Sequence, residues 1–257
     1  MPEGDTVWRT ARELRAVLAG RTLVRTDFRV PGPATADLSG RAVTAVVPRG
    51  KHLLTRVEGG FTIHTHLKME GAYRIVPAGR PVHDHRVRLV LATDTHQALG
   101  IRLGVLELLR TAEEDQAVGH LGPDLLGPDW DPAEAVRRLS AEPERPIGEA
   151  LLDQRNLAGI GNVYRSEVLF LSGVDPRTPV RDVRRLDALV DRARRLLDAN
   201  RDRARRVTTG DRRRGAELWV YGRGGRPCRR CGTAVAGAGS GPGDRVTYWC
   251  PACQPAG

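Results

Sequence analysis

The sequence has no long hydrophobic run, few aromatic residues and almost no lysine. No apolar stretch approaches the roughly 18 residues that a membrane-spanning helix needs, which excludes a membrane-embedded chain. The start, Met-Pro-Glu-Gly-Asp, is acidic and has no basic patch before an apolar stretch, so we expect no secretory signal and a cytoplasmic protein. A chain of 257 residues, 40% hydrophobic and 28% charged, is typical of a globular protein with one large domain or two smaller ones.

Arginine supplies all but two of the 41 basic residues, and the exceptions are Lys51 and Lys68. Residues 1–136 carry 17 basic and 17 acidic residues, so the net charge of +10 belongs to residues 137–257. A domain this basic favours a polyanionic partner such as nucleic acid, because cations set against phosphates release condensed counterions. A genome-wide arginine bias also explains part of this excess, so charge alone leaves the partner open. The two lysines mark positions where a compact ammonium suits and a planar guanidinium does not.

The order along the chain is strands, then helices, then a cysteine-bearing tail. Asp5 or Thr6 is placed to cap a helix that runs to Gly20. Short strands between glycine, proline and aspartate turns favour a β-sandwich or barrel, and they are predicted at Thr22–Val30, Ala42–Val47, Leu53–Val57, Phe61–Leu67, Ala72–Val76 and Arg86–Ala92.

A segment dense in proline and glycine, residues 120–131, is typical of a connector between domains. After it, Asp131, Pro132 and Glu134 predict a helix start with an N-cap, a first-turn proline and a capping-box glutamate. Helices are predicted from there to about Arg206. We therefore expect four segments: 1–119, the linker 120–131, 132–225 and 226–257.

All four cysteines lie in the last 30 residues, as two CxxC pairs. This pattern predicts a tetrahedral four-thiolate zinc site, in which each pair forms a knuckle and the intervening segment a β-hairpin; the ligands are Cys228, Cys231, Cys250 and Cys253. Two disulfides are the competing interpretation, but they would need an oxidising compartment. A site with four thiolates has no open position for water, so we expect one structural Zn²⁺ and no metal catalysis.

Two further segments carry possible chemistry. Gly159-Ile-Gly161-Asn162 predicts a glycine turn between two helices, with Asn162 at the cap; free amides at such a helix start bind phosphate, although the same pattern also occurs in simple tight turns. Removal of Met1 would expose Pro2, a secondary amine that can attack an aldehyde or a sugar carbon, beside the carboxylate of Glu3. The alternative is an ordinary frayed chain end.

These segments together resemble the formamidopyrimidine-DNA glycosylase / endonuclease VIII family over nearly the whole chain. The matching motifs are Met-Pro2-Glu3-Gly4, Arg49-Gly50-Lys51-His52-Leu53, His66-Leu67-Lys68-Met69-Glu70-Gly71, Leu121-Gly-Pro-Asp-Leu, Leu152-Asp-Gln-Arg with Gly159-Ile-Gly161-Asn162, and Val220-Tyr-Gly-Arg-Gly-Gly-Arg-Pro-Cys228. The resemblance implies an α+β protein with two domains. It assigns a catalytic β-sandwich with one N-terminal helix to 1–119, a helix-two-turns-helix domain to 132–225 and a β-hairpin zinc finger to 226–257.

The resemblance also implies a bifunctional enzyme that excises oxidised bases from double-stranded DNA and cuts the abasic site by β,δ-elimination. Pro2 would form the Schiff base and Glu3 would move protons. Lys51 and Arg245 match residues that hold phosphates at the reacting nucleotide, so we group them with the catalytic residues, and Arg245 also counts as a DNA contact.

Three further positions match DNA-binding residues of the family. Asn162 matches a phosphate-binding asparagine, and Met69 matches a wedge that fills the hole left by an extruded nucleotide. Arg102 matches the arginine of an Arg-Phe pair that the family often has at this point of the chain. For Met69, the alternative is a core methionine at the end of a strand.

Several departures from the family pattern limit which roles the resemblance implies for this chain. Thr6 replaces a common glutamate, Leu103 replaces an aromatic residue, and Glu70 is an unexpected acid beside the wedge. The segment between Thr208 and Val220 is short where the purine-excising branch has a longer loop. Together with the Pro-Glu-Gly opening, this favours the endonuclease VIII branch and oxidised pyrimidines. We expect a monomer on DNA in the bacterial nucleoid. A purine-directed glycosylase and a non-catalytic zinc protein that binds damaged DNA remain alternatives.

Overall fold

The computed structural model describes residues 2–239 and 246–256, and the chain divides into two compact units, Met1–His120 and Leu121–Gly257. Among the described helices, none has the length and apolarity that crossing a bilayer requires. The first unit is built mainly of strands and the second mainly of helices.

The first unit is a sandwich of two antiparallel four-stranded sheets with a helix against it. The sheet orders are β2-β3-β4-β8 and β1-β6-β7-β5. Its elements are α1 (Gly4–Leu18), β1 (Arg25–Phe28), β2 (Val43–Arg49), β3 (His52–Val57), β4 (Phe61–His66), β5 (Ala72–Pro77), β6 (Val87–Ala92), β7 (His96–Ile101), β8 (Val105–Arg110), a 3₁₀ turn (Thr111–Glu113) and α2 (Glu114–Val118).

The predicted β-sandwich is confirmed, with differences at the level of single elements. The sequence prediction missed β7 and β8 because neither segment alternates clearly between apolar and polar residues. The predicted cap of α1 is wrong: the helix begins at Gly4 with Glu3 at the N-cap, and the Asp5 carboxylate accepts the backbone N–H of Thr6 within the first turn. Pro2 and Glu3 therefore lie at the start of a regular helix.

The core of this unit joins α1 to both sheets. Val7, Leu14 and Leu18 lie on one face of α1, and at most 1% of the surface of each is exposed. They pack with inward side chains of the strands, such as Leu53 and Leu89. Full burial of each such side chain stabilises the fold by about 1.5–3 kcal/mol, so α1 is firmly seated and the position of its N-terminus is fixed.

A polar network binds α2 to the face of the β2-β3-β4-β8 sheet that points away from the core. The Glu114 carboxylate accepts two hydrogen bonds from Arg56, at 2.8 and 2.7 Å, and one from the Thr62 hydroxyl at 2.6 Å. The hydrogen bonds from Arg56 lower the pKa of Glu114, against the opposing effect of burial. This network fixes the position of α2, which follows the last strand of the sandwich.

The second unit has a helical core and a C-terminal hairpin. Its elements are α3 (Pro132–Ser140), α4 (Ile147–Ala150), α5 (Asn162–Ser172), a 3₁₀ turn (Val180–Asp182), α6 (Leu186–Asn200), and the antiparallel strands β9 (Ala236–Gly239) and β10 (Val246–Trp249). Asp131 caps α3 through its carboxylate, as predicted, but Glu134 pairs with Arg137 and Arg138. The N-cap of α5 is Gly161, so the prediction of Asn162 as the cap is wrong by one residue.

A buried carboxylate on α5 fixes the segment that leads to the hairpin. Glu167 is fully buried. Its Oε1 accepts the N–H groups of Val220 and Tyr221 at 2.9 Å, and its Oε2 accepts the N–H of Trp219 at 2.8 Å and the Thr208 hydroxyl. Four donors satisfy one carboxylate, so residues 208–221 are held in one arrangement without regular secondary structure.

We predict that Glu114→Gln lowers the free energy of unfolding by about 1–3 kcal/mol at neutral pH, because charge-assisted hydrogen bonds to Arg56 are lost. The pKa of Glu114 is lowered in the folded state, so its contribution is complete above the unfolded value near 4.5 and disappears as the pH falls through the folded value. Urea unfolding at neutral and acidic pH measures both effects. The matched control is Glu113→Gln at the exposed neighbour. A variant as stable as the wild type at neutral pH would contradict the network.

We also predict that Glu167→Gln opens residues 208–221 while α5 stays folded. The glutamine amide would direct donor N–H groups at backbone donors and leave buried N–H groups unsatisfied. Hydrogen exchange followed by mass spectrometry should show faster exchange at Trp219, Val220 and Tyr221. Glu217→Gln is the control, since that half-buried carboxylate in the same segment accepts the N–H of Gly215 and none of the three N–H groups that Glu167 binds. Unchanged exchange at these three amides would refute the role of Glu167.

Candidate functional site

The N-terminal residues of the first unit combine a half-buried proline with a buried acid. Glu3 has no exposed surface, its backbone is extended, and its carbonyl accepts the N–H of Val7 at 3.1 Å. The alternative of a frayed chain end does not apply to Glu3, because a frayed residue would be exposed. Pro2 is therefore held next to a carboxylate at the start of α1.

Lys51 lies in the tight turn between β2 and β3, beside Gly50, whose φ of +57° is favourable only for glycine. His52, at the start of β3, has two neighbours across the sheet. It pairs with Arg49 of β2 on one side and with His66, at the end of β4, on the other. The turn that carries Lys51 and the turn that follows β4 therefore lie at the same end of the sheet.

Met69 lies at the surface in the turn after β4, which we call the wedge turn (residues 67–71). Its side chain is 61% exposed, so the alternative of a core methionine is wrong. Gly71 closes the turn by donating its N–H to the Leu67 carbonyl at 2.9 Å, and a Cβ on Gly71 would lie 2.4 Å from that oxygen. A tight glycine-closed turn that presents an apolar side chain suits insertion into a base stack.

Arg102 lies in the adjoining turn between β7 and β8, which we call the companion turn (residues 102–104). Its Nη1 donates to the Glu70 carboxylate at 2.7 Å. The Gly104 N–H donates to the His66 carbonyl at 3.0 Å, so two contacts join the companion turn to the end of β4 and the wedge turn. The unexpected acid at position 70 is thus the partner of the predicted DNA-binding arginine.

Sequence reasoning missed a row of three histidines on the same sheet, of which His64 is buried and His52 and His66 are half-buried. His52 Nδ1 and His64 Nε2 are 2.8 Å apart, and His64 Nδ1 donates to Glu107 Oε2 at 2.9 Å. Burial, and then the charges of His66, His64, His120 and Lys68, lower the pKa of His52 to about 3. The spacing His64-Thr-His66 was the available signal, because alternate residues of a strand share one face.

The partners of these rings identify the donor in two of the hydrogen bonds. The Glu107 carboxylate accepts, so His64 donates from Nδ1. The Nδ1 of His66 accepts the Lys68 N–H at 2.9 Å, which leaves the proton of the neutral ring on Nε2. Burial, and then the charges of Lys68, Lys51 and His64, lower the pKa of His66 to about 4. Two neutral imidazoles thus stand beside two ammonium groups.

In the second unit, Asn162 lies in the first turn of α5 and contacts the hairpin. Its Nδ2 donates to the Val246 carbonyl at 2.9 Å, and its Oδ1 accepts from the buried guanidinium of Arg165. Val246 directly follows Arg245, which itself lies outside the described residues. The asparagine and the start of β10 are thus neighbours.

The four cysteines converge at the base of the hairpin. Their sulfur atoms all lie within 4.8 Å of one another, and none is in a disulfide. The Cys231–Cys250 and Cys228–Cys253 sulfurs are 3.5 and 4.0 Å apart. Sulfurs at 2.3 Å from a tetrahedral zinc would be separated by about 3.8 Å, so the set fits a four-thiolate metal site. Disulfides are excluded for these residues.

Family models and known proteins match both units. The formamidopyrimidine-DNA glycosylase N-terminal domain matches residues 1–102, and the formamidopyrimidine-DNA glycosylase H2TH domain matches residues 121–205. A "Probable endonuclease 8 2" of Streptomyces coelicolor is 59% identical over 264 residues, covering 99% of this chain and 94% of the relative. A "DNA-(apurinic or apyrimidinic site) lyase Nei2" of Mycolicibacterium smegmatis is 54% identical over the whole of both chains.

Solved structures agree with these matches. A Lactococcus lactis Fpg (MutM) in complex with DNA containing N7-benzyl-Fapy-dG superimposes with a TM-score of 0.82 at 25% identity, covering 99% of this chain and 100% of the other. An Fpg from the same organism, in complex with DNA containing an oxidised pyrimidine, gives 0.83 at the same identity and coverage. The chain belongs to the formamidopyrimidine-DNA glycosylase and endonuclease VIII family.

Proposed function

We propose that this protein is a bifunctional DNA glycosylase and abasic-site lyase of base excision repair, with Pro2 as its nucleophile. The observation that carries this proposal is the pairing of Pro2 with a fully buried Glu3 at the start of a well-packed helix. Relatives named endonuclease 8 and abasic-site lyase, 54–59% identical along the chain, support the same reaction.

The chemistry follows from a secondary amine beside a carboxylic acid. After removal of Met1, the Pro2 nitrogen attacks C1′ of the damaged nucleotide, the bond from C1′ to the base breaks, and the base leaves with the bonding electrons and takes up the proton that the Pro2 nitrogen loses. Glu3 donates a proton to the sugar ring oxygen, the ring opens, and an iminium ion joins Pro2 to C1′. Loss of a C2′ proton then expels the 3′ phosphate, and a second elimination expels the 5′ phosphate, which leaves a one-nucleotide gap.

The remaining residues hold the DNA. Lys51 and Arg245 would bind phosphates at the reacting nucleotide and Asn162 a phosphate at the start of α5, where the helix dipole favours an anion. Met69 would fill the gap left by the extruded nucleotide, and Arg102 would contact the DNA beside it.

The cysteine cluster would hold one Zn²⁺ through Cys228, Cys231, Cys250 and Cys253. The ion supplies structure rather than chemistry, because four thiolates leave no position for a water ligand. The cluster lies at the base of β9 and β10, so the metal would order the hairpin that Asn162 contacts.

We place the reaction on double-stranded DNA in the bacterial nucleoid, with the protein acting as a monomer on oxidised pyrimidines or abasic sites. The short segment between Thr208 and Val220 favours pyrimidines, as do the relatives named endonuclease 8. The second candidate is an oxidised-purine glycosylase, favoured by the similarity to an Fpg in complex with Fapy-containing DNA.

We predict that borohydride traps a covalent adduct between Pro2 and DNA, since reduction of the iminium ion makes the bond permanent. The substrate is a duplex containing dihydrouracil, and peptide mass mapping locates the adduct. An adduct on Lys51 or Lys68, or no adduct in protein that lacks Met1, would contradict Pro2 as the nucleophile.

The same assay separates the role of Glu3. Glu3→Gln should reduce base excision by about 10²–10⁴-fold while DNA binding is retained, because only proton transfer is lost. Glu13→Gln, at an exposed position of α1, is the control. Wild-type excision by Glu3→Gln would refute its role. A duplex containing 8-oxoguanine serves as the comparison, and faster excision there would identify the purine-directed alternative.

We predict one zinc per chain and a loss of DNA affinity when the site is broken. Cys250→Ser, or removal of the metal by a chelator, should unfold the hairpin and weaken binding, because the thiolate ligands hold β9 and β10 in place. Metal analysis and binding measurements test this, and readdition of zinc to the chelated wild type is the control. Unchanged affinity in Cys250→Ser would exclude the hairpin as a DNA contact.

A further inference from the structure

We propose that Lys68 is a second DNA-binding ammonium, which engages a phosphodiester of the damaged strand when the wedge turn enters the duplex. The inference rests on the proposed function, in which Lys51 binds a backbone phosphate and Met69 fills the stack. Lys68 directly precedes Met69, so its contact would form together with insertion of the wedge.

The first observation is the backbone conformation of Lys68. Its φ is +52°, and Arg102 in the companion turn, at +46°, is the other non-glycine residue with a positive φ among residues 2–239 and 246–256. A residue with a Cβ is disfavoured in this region, and glycine is the ordinary choice. A lysine kept where glycine would be more stable indicates that its side chain has a function, because such strain is stored at functional sites.

The second observation is that the neighbouring turn makes room for this side chain. A Cβ on Gly104 would lie 2.2 Å from Cγ and 2.6 Å from Cβ of Lys68, so the stem of the lysine passes where only glycine fits. The Lys68 N–H is fixed on His66 Nδ1 at 2.9 Å. The backbone and the first part of the side chain are therefore held before any ligand arrives.

The third observation is the charge around Lys68. Its side chain is exposed and has no ion-pair partner within the part of the chain that the structure describes. The nearby acid of the same turn, Glu70, is bound to Arg102 at 2.7 Å. Both Lys68 and Lys51 act electrostatically on the His66 ring. Two ammonium groups thus flank one imidazole, and the local carboxylate is engaged elsewhere.

A bound anion would neutralise the positive charges of Lys68 and Lys51. Like charges close together repel each other, and a phosphodiester between or beside them neutralises both and releases counterions. Lysine supplies a compact point charge at this position, whereas a guanidinium is a larger planar group. The scarcity of lysine in this arginine-rich chain agrees with a specific requirement at position 68.

The test compares Lys68→Gly with Arg80→Gln in the full-length protein. Arg80 is an exposed arginine just beyond the other end of β5, so its replacement changes the net charge by the same amount away from the wedge turn. The probe is a duplex containing a tetrahydrofuran abasic analogue, which cannot form the Schiff base. Fluorescence anisotropy gives Kd at several salt concentrations, and thermal unfolding gives Tm.

Lys68→Gly should bind the probe about tenfold more weakly, with a salt dependence reduced by about one phosphate contact. Its Tm should equal or exceed that of the wild type, because glycine accepts the positive φ. A purely structural lysine would move the two quantities together. Unchanged affinity in Lys68→Gly, or an equal loss in Arg80→Gln, would overturn the inference.

Lys51→Gln separates this inference from the proposed function. Weaker binding in Lys51→Gln with unchanged binding in Lys68→Gly leaves the proposed function intact and overturns the role of Lys68. The reverse pattern supports Lys68 and contradicts the phosphate contact of Lys51. A borohydride adduct on Lys68 in the wild type would also overturn the inference, because the amine would then be a nucleophile.

Discussion

The pairing of His52 with His66 across β3 and β4 is the constraint on which the candidate site in the first unit depends. It brings the turn of Lys51 and the wedge turn to one end of a sheet, and the adjoining register of β4 with β8 sets His64 opposite Glu107. A shift of one residue in this register would send each of these side chains to the opposite face, into the core. The buried apolar residues of the neighbouring positions, Leu53 and Ile63, oppose that shift.

Charge and chemistry are distributed differently over the chain. Residues 1–136 have no net charge, yet they contain the proposed nucleophile, the buried acid and both lysines. The net positive charge lies in the half with the helices and the cysteine cluster. In the proposed function, the neutral half would rely on a few well-placed cations, whereas the basic half would supply the non-specific attraction to the DNA backbone. Net charge alone would then direct a search for the proposed nucleophile to the other half.

Sequence reasoning succeeded where the signal is local. The two CxxC pairs predicted the cysteine cluster, and Asp131 predicted the start of α3, because each pattern specifies geometry within a few residues. The family resemblance predicted the fold class of both units, which the structure confirms. The division into four segments and the roles of the site residues stay predictions. The cap of α1 and the exact start of α5 were each misplaced by one to three residues.

Contacts between distant segments could not be read from the sequence. Glu70 seemed unsuited to a DNA-facing turn because its partner, Arg102, lies 32 residues away. Glu167 binds backbone groups more than 40 residues further along the chain, and no side-chain pattern marks backbone donors. The histidine row required the pairing of three strands. These three features need the tertiary structure.

The wedge turn and the companion turn show why a site of this kind is not built for maximum stability. Both contain a non-glycine residue with positive φ, and the charges of Lys68 in the wedge turn and of Lys51 in the β2–β3 turn both act on the His66 ring. The ion pair between Glu70 and Arg102 offsets little of this, since both side chains are more than half exposed and such pairs contribute about 0.2–1 kcal/mol. The rigid sandwich beneath, with α1 packed into its core, is what maintains the two turns in this arrangement. In the proposed role of Lys68, a bound phosphodiester would offset the repulsion between Lys68 and Lys51 at this end of the sheet.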